Sequence, residues 1–406
     1  MHYSNDRILV THVGSLPRSP ALLDMLGRME AGEVVDRGEF RSEVLAGLRE
    51  AVREQAAAGI DIAGDGELPR IGFSFYAKDR MTGFGGEAQR GTVTDFAKFP
   101  GYAELVVSRS AGQSNAGKSA SVWATPECVD EVRYDPELAQ AREELDLFED
   151  ALKAEAEASG NFTGTFVTAV TPGILATTLL RNPENPAYAR DEDYVFALAR
   201  ELRREYEYIV SRGHILQLDA PDLALERQIL FVDRPLEEFQ ERMEVHVAAL
   251  NEALENIPRD KVRMHVCWGN WDGPHSDDVD LEAILPIIYK AEVGGLSLAC
   301  ANPRHAHDNT YETFVVLDGT IEFRVGPEGE EKVTLGKWDT FSCPPGAYRG
   351  FRNVGEDNAV LLTVITGAVD ARDDVCVPPS VGREIDDRFG GEVLDAFRKL
   401  AKFNEE

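Results

Sequence analysis

From residue 8 to about residue 300 the sequence alternates between short apolar runs and long amphipathic stretches, and this alternation limits the fold more than any other feature. The runs 8–13, 60–63, 166–170, 215–218, 262–266 and 296–300 have the length and residue types of strands. Between them, 38–58, 188–211 and 236–255 are rich in Ala, Leu, Glu and Arg, with apolar residues at spacings of three and four, as one face of a helix requires. Strand and helix in alternation predict a parallel sheet. This many units favour a (β/α)8-type TIM barrel over an open sheet, here incomplete at its last strands. Residues 84–124 break the rhythm with Gly, Ser, Thr and Gln, and read as a loop region around a third strand.

After residue 308 the helical periodicity stops. The segments 311–317, 320–325, 331–335, 340–343 and 359–365 are short β-type runs, separated by turn signals such as Asp318-Gly319 and Pro344-Pro345-Gly346. A small all-β jelly roll is the architecture this pattern builds. A polar stretch then leads to a predicted terminal helix over 391–403. The expected division is a barrel over 1–303, a β-barrel over 304–370 and a polar tail with a helix over 371–406. A length of 406 residues suits one large domain and one small one.

Composition narrows the partners. Acidic residues outnumber basic ones 72 to 42, for a net charge of -30. Such a surface repels nucleic acid and anionic membranes, and the excess is spread along the chain as solubilising charge. No stretch approaches the ~18 apolar residues of a spanning helix, and the first residues lack an export signal, so the expectation is a cytoplasmic protein. The sequence leaves oligomeric state open, a homo-oligomer included. The five cysteines, Cys128, Cys267, Cys300, Cys343 and Cys376, are widely spaced and odd in number. Buried thiols or metal ligands fit them better than a disulfide framework.

The chemistry-bearing residues gather where strands end. His265-Val266-Cys267 closes one run, and a single intervening residue puts both side chains on one face of a strand. Imidazole and thiolate suit zinc, although a histidine beside a cysteine is also an ordinary product of a buried core. Ser15, the pair Asp65 and Glu67, and the pair Asp219 and Asp222 follow three other runs. Carboxylates placed there either cap helices or converge on one rim to bind an amino group. Gly112 to Ser119 has the spacing of a phosphate-binding loop, but the β-like "ASVWATPE" follows it where a helix is required. A surface loop is the better reading.

The stretches "THVGSLPR", "GIDIAGDGE", "TAVTPG", "LQLDAPD", "HVCWGNWDGPH" and "LSLACANPRHAH", in this order, resemble the cobalamin-independent methionine synthase family, in its single-barrel form. The resemblance covers about 8–308. It implies a zinc ion that activates the thiol of homocysteine for attack on the methyl group of a methylated folate. It also implies that His265 and Cys267 are zinc ligands, and that Ser15, Glu67 and Asp219 hold the amino acid part of the substrate. Two departures stand against it. Ala299 occupies the place of a glutamate ligand, and adjacent Cys300 points to the opposite strand face, so it replaces that ligand only with a bulge. The family's later motifs, with a histidine acid and a last cysteine, are missing.

Over about 304–368 the chain resembles a cupin instead. His305, His307, Glu312 and Gly319 match the first cupin motif, whose His and carboxylate ligands hold iron, manganese or zinc. The second motif keeps Asp339, Pro344, Gly346 and Asn353 but has Arg349 where the third histidine belongs. An arginine there repels a cation and suits a carboxylate. Three functions follow as expectations: zinc-dependent methyl or alkyl transfer to a thiol such as homocysteine, a catalytically degenerate barrel that binds ligands, and a metal-dependent cupin acting on a small acid.

Overall fold

A computed structural model describes residues 9–70, 72–91, 93–98, 123–269, 277–298, 306–307, 311–327, 329–355, 359–366, 375–380, 383 and 402–403. The chain divides into two compact units, one holding 9–279 and 287–298, the other 280–286 and the described residues from 306 onward. No helix among the described residues is long and apolar enough to cross a membrane.

The first unit is α/β. Its main sheet has five parallel strands in the order β1-β4-β5-β6-β7: Ile62–Gly64 (β1), Gly164–Val170 (β4), Ile215–Asp219 (β5), Val262–Val266 (β6) and Gly295–Leu298 (β7). Of the expected first strand over 8–13, the described residues make a single parallel bridge, from Thr11 to Ile62, and leave Val10 and Val13 exposed. The sheet described thus has five parallel strands, a half-barrel sheet. Its strands read clearly in sequence because both faces are covered, as in β4, where the last five residues are all buried.

Residues 84–124 correct one expectation. Their described part adds no strand to the parallel sheet; Met81–Arg90 (β2) instead pairs antiparallel with Trp123–Tyr134 (β3) in a ribbon broken by two register shifts. Gly83 allows the first of these. It has φ 97°, and a Cβ there would lie 2.6 Å from the Glu131 carbonyl oxygen.

The helices follow their caps and stripes. Pro20–Glu30 starts at Ser19, whose hydroxyl accepts the Leu22 N–H at 3.1 Å, and buries Leu22, Met25 and Leu26. Arg37–Ala57 starts at Asp36, which accepts the Glu39 N–H at 2.8 Å, and buries Val44, Leu48, Ala51 and Val52. Asp191–Ser211 carries Asp191, Glu192 and Asp193 in its first turn, where the helix dipole favours negative charge. Leu236–Leu254 buries Phe239, Met243, Val247 and Leu250. The last three lie within three residues of their predicted bounds, and Pro20–Glu30 is a helix beyond those expected.

The second unit contains Ala306–His307 (β8), Tyr311–Asp318 (β9), Ile321–Val325 (β10), Glu331–Leu335 (β11), Thr340–Cys343 (β12), Arg349–Asn353 (β13), Val360–Thr366 (β14), Val375–Val377 (β15) and Lys402–Phe403 (β16). They form three sheets, β11-β10-β13, β12-β9-β14 and β16-β15-β8. Phe314 and Val316 from β9, Ile321 and Phe323 from β10, and Cys343 from β12 make one buried core, joined by Phe341 and Phe351. The Phe314 and Phe323 ring centroids are 4.9 Å apart. Two expectations change here. β13 was not predicted, since "RGFRN" hides its alternation behind two arginines and a glycine. Lys402–Phe403 pairs parallel with β15, so the predicted helix over 391–403 does not run to its end; 391–401 lie outside the described residues.

Candidate functional site

One face of the parallel sheet carries nearly every polar group of interest, because strand register stacks them in layers. Phe166 lies beside Ile215; Thr168 beside Gln217 and then Arg263; Val170 beside Asp219, His265 and then Ser297. The opposite face of β6, Val262, Met264 and Val266, is wholly apolar and buried. The upper layer lies at the C-terminal strand ends, where parallel α/β folds place their sites.

The "THVGSLPR" and "GDGELPR" turns meet over this layer. Ser15 Oγ donates to Glu67 Oε2 at 2.6 Å. Gly66 and Glu67 have φ values of 63° and 55°, and a left-handed glutamate is an unusual conformation whose strain local contacts must offset. The Glu67 N–H donates to Asp65 Oδ1, and Arg18 Nη2 donates to the Glu67 carbonyl at 2.6 Å. A Cβ on Gly14 would lie 3.0 Å from Glu67 Oε1, so glycine there leaves room for the carboxylate.

Asp219 sits at the end of β5 and receives the Gln217 amide at 3.0 Å. Burial, together with the nearby Glu67 charge, pushes its carboxyl up to about 8. In register with it, His265 places Nδ1 3.2 Å from the Ser297 carbonyl oxygen. The Ser297 hydroxyl lies 3.3 Å from the same Nδ1; a proton on Nδ1 would satisfy the carbonyl, which only accepts, and would leave the Nε2 lone pair open. Burial and the Arg263 charge hold this imidazole below its ordinary value, hence neutral. Cys267, two residues on, is pushed up by burial and by Asp219 and Asp278, so its thiol keeps its proton.

Ser15, Glu67, Asp219, His265 and Cys267 therefore converge. Cys300 and His305 lie outside the described residues, as do Ala299 and residues 112–119; His307 is described only through its backbone in β8. Asp222 is committed elsewhere: its carboxylate meets His246 Nδ1 at 2.8 Å and receives the Thr171 hydroxyl at 3.2 Å.

Sequence reasoning missed the layer below. Arg263 stacks 4.0 Å from the Phe166 ring centroid and donates to Gln217 Oε1 at 2.7 Å, Thr11 Oγ1 at 3.1 Å and the His12 carbonyl at 3.1 Å. Burial lowers its guanidinium to about 10. Arg70 reaches the Thr168 carbonyl at 2.7 Å and pairs with Glu144 at 3.0 Å. The signal was present for Arg263, which stands two residues before His265 and hence on the same strand face.

In the second unit, Glu312 on β9 and Arg349 on β13 form an ion pair. Arg349 donates through Nε at 2.8 Å and Nη2 at 2.5 Å, both to Oε2, and both residues are buried. Cys343 faces Glu312 across β12 and β9, and burial pushes its thiol up to about 11.

Comparison with known proteins follows the same division. Residues 299–365 match the Cupin_2 family model, a cupin domain. The methionine synthase of Thermococcus kodakarensis is 24% identical over 264 residues, 64% of this chain and 61% of that protein. That of Pyrococcus furiosus is 26% identical over 261 residues, with the same two shares. The chain joins a methionine-synthase-like region to a cupin domain. It spans about 61% of the length of these curated relatives. A B12-independent methionine synthase from Shewanella sp. W3-18-1, solved in complex with selenomethionine, is 18% identical, with a TM-score of 0.49 over 72% of this chain and 73% of that one.

The two metals implied by these resemblances fit unequally. In the methionine-synthase-like region, His265 presents a free Nε2 anchored through Nδ1 on a carbonyl, as metal-bound imidazoles commonly are, and Cys267 lies on the same face. Both suit zinc. Among the described residues no three His, Cys, Asp or Glu side chains gather around one point, so further ligands would come from elsewhere in the chain. In the cupin domain, by contrast, Glu312 already serves a guanidinium.

Proposed function

We propose that this chain transfers a methyl or other alkyl group to the thiol of an amino acid such as homocysteine, at the C-terminal ends of β1, β5 and β6, with a methylated folate as a donor of the right class. The observation that carries the reading is the convergence of Ser15, Glu67, Asp219, His265 and Cys267 over one sheet face. The layered side chains beneath them, Phe166 with Ile215 and Gln217 with Arg263, support a sheet that closes into a (β/α)8-type barrel, since barrel interiors are filled in such layers.

His265, through Nε2, and Cys267, through Sγ, would hold zinc, with Cys300 as a further donor. Bound there, zinc supplies a cation on which a thiol ionises at neutral pH while staying nucleophilic. The remaining work falls to the chain. Glu67 and Asp219 offer two carboxyls to the substrate ammonium, and Ser15 fixes the Glu67 carboxylate by donating to it. Ser297 sets the His265 tautomer. Arg263 and Gln217 floor the site and exclude water beneath the substrate.

Ala299, in place of a glutamate ligand, favours a second reading: a barrel that binds the amino acid without turnover. Zinc analysis and calorimetry separate the two. The methyl-transfer reading expects about one zinc per chain, lost in His265→Ala and in Cys267→Ser, since such sites use three or four protein ligands and removing one costs most of the affinity. A zinc-free protein that His265→Ala leaves unchanged would sink it. Homocysteine binding without methyl transfer, across folate-type and other alkyl donors, would leave the scaffold reading standing.

A further inference from the structure

The Arg349–Glu312 pair occupies the place where a cupin's third histidine and its carboxylate would share a metal. Its surroundings make the pair hard to open. Arg349 is 1% exposed and Glu312 is 4% exposed. Two guanidinium nitrogens, Nε and Nη2, converge on one carboxylate oxygen, and Nη1 lies 3.4 Å from the Ala347 carbonyl. Glu312 stands on the middle strand of sheet β12-β9-β14 and Arg349 on an edge strand of β11-β10-β13, so the pair ties the two sheets together beside the phenylalanine core.

We infer that the cupin domain works without a bound metal, because Arg349 is its built-in cation and Glu312 that cation's counter-charge. A divalent ion ligated by Glu312 would sit within ion-pair distance of the guanidinium, where like charges in a buried site repel strongly. To admit the ion, Arg349 would have to leave and remain buried without its partner, which is the costly outcome for a buried charge. A histidine at 349 would present a neutral lone pair instead. The chain thus keeps the first cupin motif, His305, His307 and Glu312, while one substitution in the second motif changes what Glu312 binds.

The test uses the full chain and Mn(II), a hard ion that suits imidazole and carboxylate ligands and is disfavoured by the softer His265–Cys267 pair. Wild-type protein is expected to take up no stoichiometric Mn(II), and Glu312→Gln and His307→Ala to leave its uptake unchanged. Arg349→His is expected to gain about one Mn(II) per chain, visible in the paramagnetic resonance spectrum and lost again when His307→Ala is added. Wild-type protein that binds one Mn(II) and loses it in His307→Ala overturns the inference. So does an Arg349→His protein that melts cooperatively and binds none. Because Glu312→Gln strands a buried arginine, the double variant Glu312→Met, Arg349→Met removes both charges; in it, as in wild type, melting temperature should not respond to Mn(II).

Discussion

Asp219 combines two opposing demands on one side chain. It ends a buried strand, so burial and Glu67 raise its pKa to about 8, while Gln217, Arg70 and Arg263 pull the other way. In the unfolded chain it titrates near the ordinary carboxylate value of about 4. Between those values the folded chain holds a proton that the unfolded chain lacks. Its contribution to stability is therefore fully present below about 4 and is lost as pH rises through about 8. Asp219→Asn should remove that slope: in urea unfolding with a chelator present, wild type should lose more stability between pH 5 and pH 8 than the variant. Parallel losses would show that the acid is ionised in the fold. The same reasoning says what the sequence could and could not reveal here. That Asp219 and Glu67 stand at strand ends is legible in their position, and the spacing to His265 puts Arg263 on the same strand face; that Arg263 and Gln217 form a buried layer beneath the site is not legible, since a polar residue inside a strand reads equally well as a solvent-facing one.

At the scale of elements, the sequence is most legible where burial is one-sided or complete. The helix over Arg37–Ala57 announces itself by its Asp36 cap and its stripe through Val44, Leu48 and Val52, and β6 by an apolar alternation that its bounds match. Legibility fails where polar residues carry the element. Thr11 makes only a bridge, and β13 holds Arg349 and Arg352, yet it pairs along its whole length with β10. What that pairing contributes is measurable at Phe323, which lies opposite Phe351 and packs 4.7 Å from the Phe341 centroid. Truncating a fully buried phenylalanine removes its burial and leaves a cavity, costing about 3–5 kcal/mol. Phe323→Ala should therefore lower the unfolding free energy of the cupin domain by that amount in denaturant titration. A loss under about 1 kcal/mol would mean that the aromatic cluster does not bear on the stability of the fold.

At the scale of the whole molecule, charge is the dominant property. With 72 acidic and 42 basic side chains, many carboxylates have no cation of their own to meet. Two kinds of electrostatics then compete, and distance separates them. Buried pairs such as Arg80–Glu205 at 2.7 Å and Arg349–Glu312 lie in contact away from solvent, where salt screens little. Exposed pairs such as Arg190–Asp193 contribute little in the first place. Repulsion among the surplus carboxylates acts across the surface over longer distances, which is the range that a Debye length of about 10 Å at 0.1 M salt removes. Added salt should thus relieve more repulsion than it weakens attraction. Raising sodium chloride from about 10 mM to about 150 mM is expected to raise the first thermal transition by about 1–3 °C at pH 7, with little further change beyond, as followed by calorimetry. A transition that falls with salt would instead mean that exposed contact pairs, and not the surplus of carboxylates, set the balance.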